Sequence, residues 1–249
     1  MFWSRRPKYR FYPQERTTGS RIFSVVKLLI LVFLVHEIVA TFFLTSFRVD
    51  SQAMQPALEP GDNLLVSPLA FGAYLPLLNT RGPALGEPEH GDLVVIRPPY
   101  SAEPNLLLRP LNSVVEFFTG RRRGVTGDDR HPDVMLRRVI AVPGDTVRME
   151  ESIFYVRTAE EDGFVSEFEA SRLRYPLARQ DSGGDWPQEL PFDETMEERT
   201  LGEDEFFLAA DNRSEAIDSR YGGAVARSHL RSRVLLRYRP FRRFGVPGQ

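Results

Sequence analysis

The 249-residue chain contains no cysteine. Disulfides, a thiolate nucleophile and cysteine metal sites are therefore excluded. Lysine is almost as scarce, with Lys8 and Lys27 the only two, although arginine is plentiful. Beyond residue 27 no side-chain amine can shed its proton and act as a base, and a guanidinium cannot replace it because its pKa stays above about 12. Net charge is −2, so no global cation excess draws the chain to nucleic acid. The regular periodicity of a nucleic-acid module is also missing, and no nucleic-acid partner is expected. With 42% hydrophobic residues the chain can bury a sizeable core in one or two domains. No internal repeat is visible.

What is present is unevenly placed. Residues 1–21 form a basic head, in which Arg5, Arg6, Lys8, Arg10, Arg16 and Arg21 face only Glu15. Residues 22–47 are mostly Ile, Leu, Val and Phe. A helix needs about 20 such residues to cross a bilayer. The expectation is one transmembrane anchor with the head in the cytoplasm and residues 48–249 outside. A cleaved signal peptide is the alternative, but no small-x-small cleavage site follows the apolar run. Lys27 can snorkel to the interface. His36 and Glu37 fall near mid-span, where a charge costs about 2.5–3.5 kcal/mol. They mark contact with another membrane helix, or else a neutral Glu or a local water defect.

The outer region reads as β. Short strands are expected at Asp62–Val66, Leu93–Ile96, Met135–Val142, Thr146–Met149 and Ile153–Arg157, punctuated by Gly-Asp and Pro turns. Residues 74–90 read as a loop. Pro104–Thr126 is ambiguous, with a short helix at Asn112–Phe118 as one reading. The fold class expected is mainly β, a sandwich or barrel-like body. Between residues 150 and 205 the chain carries seventeen acidic residues against five arginines, which fits a solvated face or a smaller inserted lobe. The tail reverses sign, with Arg227, Arg231, Arg233, Arg237, Arg239, Arg242 and Arg243. That pattern predicts an edge strand guarded by charge, or a surface for anionic membrane lipid.

Four blocks carry the chemistry. The first runs from Ser51 through Ala53-Met54-Gln55-Pro56 to Gly61-Asp62. The second is His90-Gly91-Asp92-Leu93-Val94-Val95-Ile96. The third is Leu136-Arg137-Arg138-Val139-Ile140-Ala141-Val142-Pro143-Gly144-Asp145. The fourth is Ala210-Asp211-Asn212-Arg213 with Asp218-Ser219-Arg220-Tyr221. In this order, behind an apolar segment, they resemble the sequence boxes of the bacterial type I signal peptidases. The ending Tyr238 to Gly245 resembles that family's C-terminus, so the likeness covers most of residues 22–249.

The resemblance implies an antiparallel β body at the bacterial inner (cytoplasmic) membrane that removes signal peptides from exported proteins on the outer face of that membrane, with Ala-x-Ala accepted in a shallow apolar groove. It implies no metal or organic cofactor. In that family a serine hydroxyl attacks the scissile carbonyl and a lysine amine takes its proton. The serine position here is Ala53 and the lysine position is Arg137. A methyl group cannot attack, and a guanidinium has no lone pair to accept a proton. A second serine of the family is Ala216 here, and a glycine is Ala210. Ser51 matches a residue that helps bind the oxyanion, and Met54 and Pro56 would line the groove. Asp211, Asn212, Arg213, Asp218, Ser219 and Arg220 would shape the site, with Asp218 and Arg220 paired. His90, His131 and His229 are expected at the surface rather than as bases.

Two functions remain open. One is an inactive homologue that binds signal peptides of exported proteins, or an active paralogue, without cutting. The other is a working serine endopeptidase with non-standard groups, Ser51 being the first candidate. An engineered Ala53 fits poorly with a chain in which lysine is missing from the whole outer region.

Overall fold

The computed structural model describes residues 18–39, 43–72, 74–75, 80–98, 134–159, 163–178, 195–214 and 217–248. The expected helix at 112–118, His131 and Ala216 lie outside the described residues, as does most of the basic head. Two compact units are present, Met1–Glu37 and Ile38–Gln249.

The first unit holds most of helix α1 (Thr18–Ile38). Its apolar side chains are exposed all round, including Ile22, Phe23, Val25, Leu28, Leu31 and Val35. The expected anchor over residues 22–47 does not run through as one helix. The helix ends at Ile38, and Thr45–Arg48 form a strand instead. Lys27 also interrupts the apolar run. Among the described residues no helix is long and apolar enough to cross a membrane.

The second unit is built from antiparallel strands: β1 (Thr45–Arg48), β2 (Asn63–Ser67), β3 (Tyr74–Leu75), β4 (Thr80–Arg81), β5 (Leu93–Ile96), β6 (Met135–Ala141), β7 (Thr146–Glu150), β8 (Ile153–Arg157), β9 (Val165–Ser166), β10 (Met196–Thr200), β11 (Glu205–Ala209), β12 (Val225–Ala226) and β13 (Leu230–Arg239). Helices α2 (Glu167–Ser171) and α3 (Ser219–Gly222) are short. The main sheet runs β1-β2-β13-β5-β6-β11-β12, a smaller one runs β10-β7-β8-β9, and β3 and β4 pair alone. The antiparallel β body expected from the sequence is present. The smaller sheet begins at Thr146, ahead of the acidic stretch, and takes in β10 from inside it.

Side-chain alternation explains the layers. Leu64 and Val66 of β2 point inward at period two, the mark of a strand with one covered face. Every residue of β5 is buried, because the sheet is covered on both faces at that strand. Val95 and Leu136 join Met54, Leu58 and Leu64 in one cluster, while Val94, Ile96 and Val139 join Phe206 and Leu208 in another. A third cluster ties β6 and β11 to β7 and β8, with Phe154 edge-on to Phe207 at 5.3 Å between ring centroids. Burying one such aromatic stabilises the fold by about 1.5–3 kcal/mol.

The basic C-terminal strand is not at an edge. β13 lies between β2 and β5. Two of its arginines are matched to carboxylates: Arg233 to Asp92, and Arg237 to Asp62 at 3.3 Å. Arg243 reaches the same Asp62 at 2.9 Å. Charge here locks the strand in place and does not guard an edge.

Candidate functional site

The first block turns directly out of β1. Val49 N–H donates to Asp62 O (2.9 Å) and Gly61 N–H to Val49 O (2.7 Å), which closes the loop between them. Inside that loop Leu58 N–H donates to Met54 O at 2.8 Å. Met54 and Leu58 are fully buried and anchor the loop in the core, so Ala53 is held with little freedom. Asn212 N–H donates to Ala53 O at 2.9 Å, fastening the first block to the fourth.

A groove of about 320 Å³ opens here, lined by Phe47, Val49, Met54, Val134 and Leu136 together with Arg48, Asp50, Ser51, Ala53, Met135 and Arg137. Ala53 and Arg137 therefore face one cavity although they lie far apart in sequence. Pro56 is exposed and is not part of the lining. Arg137 is only 5% exposed. Its Nη1 donates to Leu136 O (2.6 Å), and its Nη2 donates to Ile217 O (2.7 Å) and contacts Met135 Sδ (3.5 Å). Ser51 Oγ accepts from Ala53 N–H at 3.1 Å. Ser51 carries the only hydroxyl among the described lining residues.

The remaining block residues brace this groove from behind. Asp218 caps α3, accepting from Arg220 N–H (3.0 Å), Arg220 Nε (2.9 Å) and Ala210 N–H (3.1 Å). Ser219 Oγ accepts from Leu208 N–H at 3.0 Å. Asn212 Oδ1 accepts from Ser214 N–H at 3.2 Å, forming a local turn. Asp211 takes two parallel bonds from Arg138, at 2.8 Å from Nε and 2.7 Å from Nη2. Burial would lower the Arg138 pKa, but Asp211, helped by Tyr175 and Glu167, raises it above the ordinary value.

Sequence reasoning missed Arg138, Tyr175 and Glu167. The Arg138 guanidinium lies 3.7 Å from the Tyr175 ring centre, and the Tyr175 hydroxyl donates to Glu167 Oε2 at 2.6 Å. Arg213 donates to the same Oε2 at 2.5 Å. The available signal was the doublet Arg137-Arg138 on a strand. Neighbours on a strand point to opposite faces, so one arginine had to lie away from the groove.

His90 is partly buried rather than at the surface, 2.7 Å from Asp145 Oδ2 through its Nε2. It belongs to a separate polar hollow with Thr158, Glu169 and Arg172. His229 bonds Arg97 O at 3.0 Å through its Nδ1. Neither His90 nor His229 lines the groove beside Ala53.

The groove lies at the end of edge strand β1 of the antiparallel β body and is lined mostly by apolar side chains. Residues 22–239 match the signal peptidase family, peptidase S26. The chain belongs to that family. It is 27% identical over 209 residues to a signal peptidase I of Pseudomonas aeruginosa, covering 74% of this chain and 57% of the relative. It is 23% identical over 261 residues to a signal peptidase I of Buchnera aphidicola, covering 92% of this chain and 79% of the relative. The chain thus spans little more than half the length of the Pseudomonas protein. Among solved structures, a signal peptidase I of Enterococcus faecalis is similar at a TM-score of 0.31 and 19% identity, over 61% of this chain and 99% of that one.

Proposed function

We propose that this chain is a non-cleaving signal peptidase homologue that holds the signal peptides of exported proteins in the groove beside Ala53. One observation carries the reading. The groove presents a methyl group and a guanidinium, Ala53 and Arg137, where family chemistry needs a nucleophile and a base. An uncharged hydroxyl such as Ser51 is a poor nucleophile unless a base takes its proton. No histidine, aspartate or glutamate other than Asp50 lines the described groove, and Asp50 lies 3.6 Å from Arg48.

The body works at the surface of a bacterial cytoplasmic membrane. Support comes from α1, whose apolar side chains are exposed all round. Such a helix finds its stable place in a core or in lipid. An active paralogue is a second partner that the same groove could engage.

The test is cleavage of a preprotein by the purified full-length chain in detergent, beside the Ala53→Ser, Arg137→Lys double variant. Binding without cutting by the wild type, with mature product from the variant, is expected. Mature product from the wild type, lost on Ser51→Ala, overturns the reading in favour of an unorthodox peptidase.

A further inference from the structure

We propose that Met135 is an oxidation site that governs what the groove holds: conversion of its thioether to the sulfoxide weakens peptide capture, and reduction restores it. This rests on the peptide-binding reading above and names a regulation of that site. Among the described methionines, Met54 and Met149 are buried, at 1% and 2% exposure, and meet an oxidant only if the core opens. Met196 is half-buried on β10 and does not line the groove. Met135 is the first residue of β6, is half-buried, and lines the groove itself. An opening of about 320 Å³ admits a molecule as small as a peroxide.

The surroundings of the sulfur set what oxidation does. Arg137 Nη2 lies 3.5 Å from Met135 Sδ and also donates to Ile217 O at 2.7 Å. A thioether sulfur is only a weak acceptor. In the reaction a sulfur lone pair attacks one oxygen of hydrogen peroxide. The S–O bond forms as the O–O bond breaks, and the proton of the attacked oxygen passes to the departing one, which leaves as water. Sulfur is oxidised and the peroxide is reduced. The product carries a polar S=O where an apolar side chain stood. Its oxygen inherits the contact that the thioether already makes with Arg137, and it competes with Ile217 O for the same Nη2. On the groove side, the wall that Met135 shares with Phe47, Val49, Met54 and Leu136 loses apolar surface. Small apolar side chains of a bound peptide then gain less from entering.

The experiment treats the full-length chain in detergent with dilute hydrogen peroxide, maps the added oxygen by mass spectrometry, and titrates a fluorescent peptide containing Ala-Leu-Ala before and after. Met135 is expected to gain oxygen ahead of Met54, Met149 and Met196. Peptide affinity should fall by about fourfold, which is what one buried methylene's worth of apolar contact supplies. Methionine sulfoxide reductase with a dithiol should restore it. In Met135→Leu, whatever its starting affinity, peroxide should leave that affinity where it was. Oxidation of Met135 no faster than that of buried Met54 overturns the inference. So does full oxidation of Met135 with unchanged peptide affinity, and so does an equal loss in Met135→Leu. Each of these leaves the peptide-binding reading standing. Failure of the untreated chain to bind the peptide overturns both.

Discussion

Arg138 and Asp211 are joined by two parallel bonds of 2.8 and 2.7 Å, and neither side chain has any exposure to solvent. The pair stitches β6 to the segment that follows β11, directly behind the groove. A buried ion pair adds little net stability over an apolar replacement, but losing one partner leaves a bare charge in the core. Asp211→Asn is expected to cost about 3–5 kcal/mol for that reason. Urea unfolding followed by tryptophan fluorescence measures it. A loss below about 1 kcal/mol, the scale of an exposed pair, would show that water reaches Arg138.

Tyr175 gives the fold an alkaline limit. Burial, with the Glu167 carboxylate beside it, pushes the phenol well above its ordinary value of 10.0. The folded state therefore keeps the proton that the unfolded chain gives up near 10.0. The Tyr175 contribution to stability is flat below that pH and falls as pH rises above it, because only the unfolded state ionises there. Urea midpoints at pH 8 and 10.5 should show the fall, and Tyr175→Phe should reduce it. The variant should also lose about 1–3 kcal/mol at pH 7, since Glu167 gives up one buried donor.

Asp92 behaves in the opposite region of the scale. Burial raises its pKa above 3.8, even though a backbone bond from Glu89 and the nearby Arg233 pull it down. The folded state holds this proton more tightly than the unfolded chain, so its contribution grows more favourable as pH falls through the window above 3.8. The stability of the wild type relative to Asp92→Asn should therefore improve between pH 7 and 4. A relative stability that declines over that range would mean the Arg233 pairing wins over burial.

These residues differ in how openly the sequence displayed them. Strand positions were legible where apolar residues met Gly-Asp turns, as at Leu93–Ile96 and Ile153–Arg157, because strand period and turn chemistry are local. The joining of Ala53 and Arg137 in one groove came only through resemblance, since their meeting depends on sheet order. β13 was misplaced at an edge because its arginines look solvated until Asp62 and Asp92 are seen against them. β10 was hidden for a similar reason. Met196-Glu197-Glu198-Arg199-Thr200 is exposed along nearly its whole length, so no burial pattern announces it, and pairing with β7 alone makes it a strand. Glu167 sat within an acidic stretch read as solvated face, yet three donors enclose it: Phe154 N–H, the Tyr175 hydroxyl and Arg213.

Two glycines with the same backbone conformation should respond differently to alanine. Gly91 and Gly144 both precede an aspartate in a turn and have φ of +85° and +88°. At Gly144 a new Cβ meets nothing within 4 Å, so Gly144→Ala should cost only the left-handed backbone penalty of about 1–2 kcal/mol. At Gly91 the same Cβ falls 2.6 Å from Ser171 Cβ and 3.0 Å from Leu173 Cδ1, so the segment after α2 must move. Gly91 cannot shift alone either. Its N–H donates to Val139 O at 2.8 Å, and its carbonyl accepts from Arg138 Nη1 at 2.9 Å. Gly91→Ala should therefore exceed Gly144→Ala by about 1–3 kcal/mol, the range of overpacked sites, and should loosen the Arg138–Asp211 pair. Thermal melts of the two variants side by side check this. Equal melting temperatures would show that the Ser171 loop yields freely and that the second block is not clamped against α2.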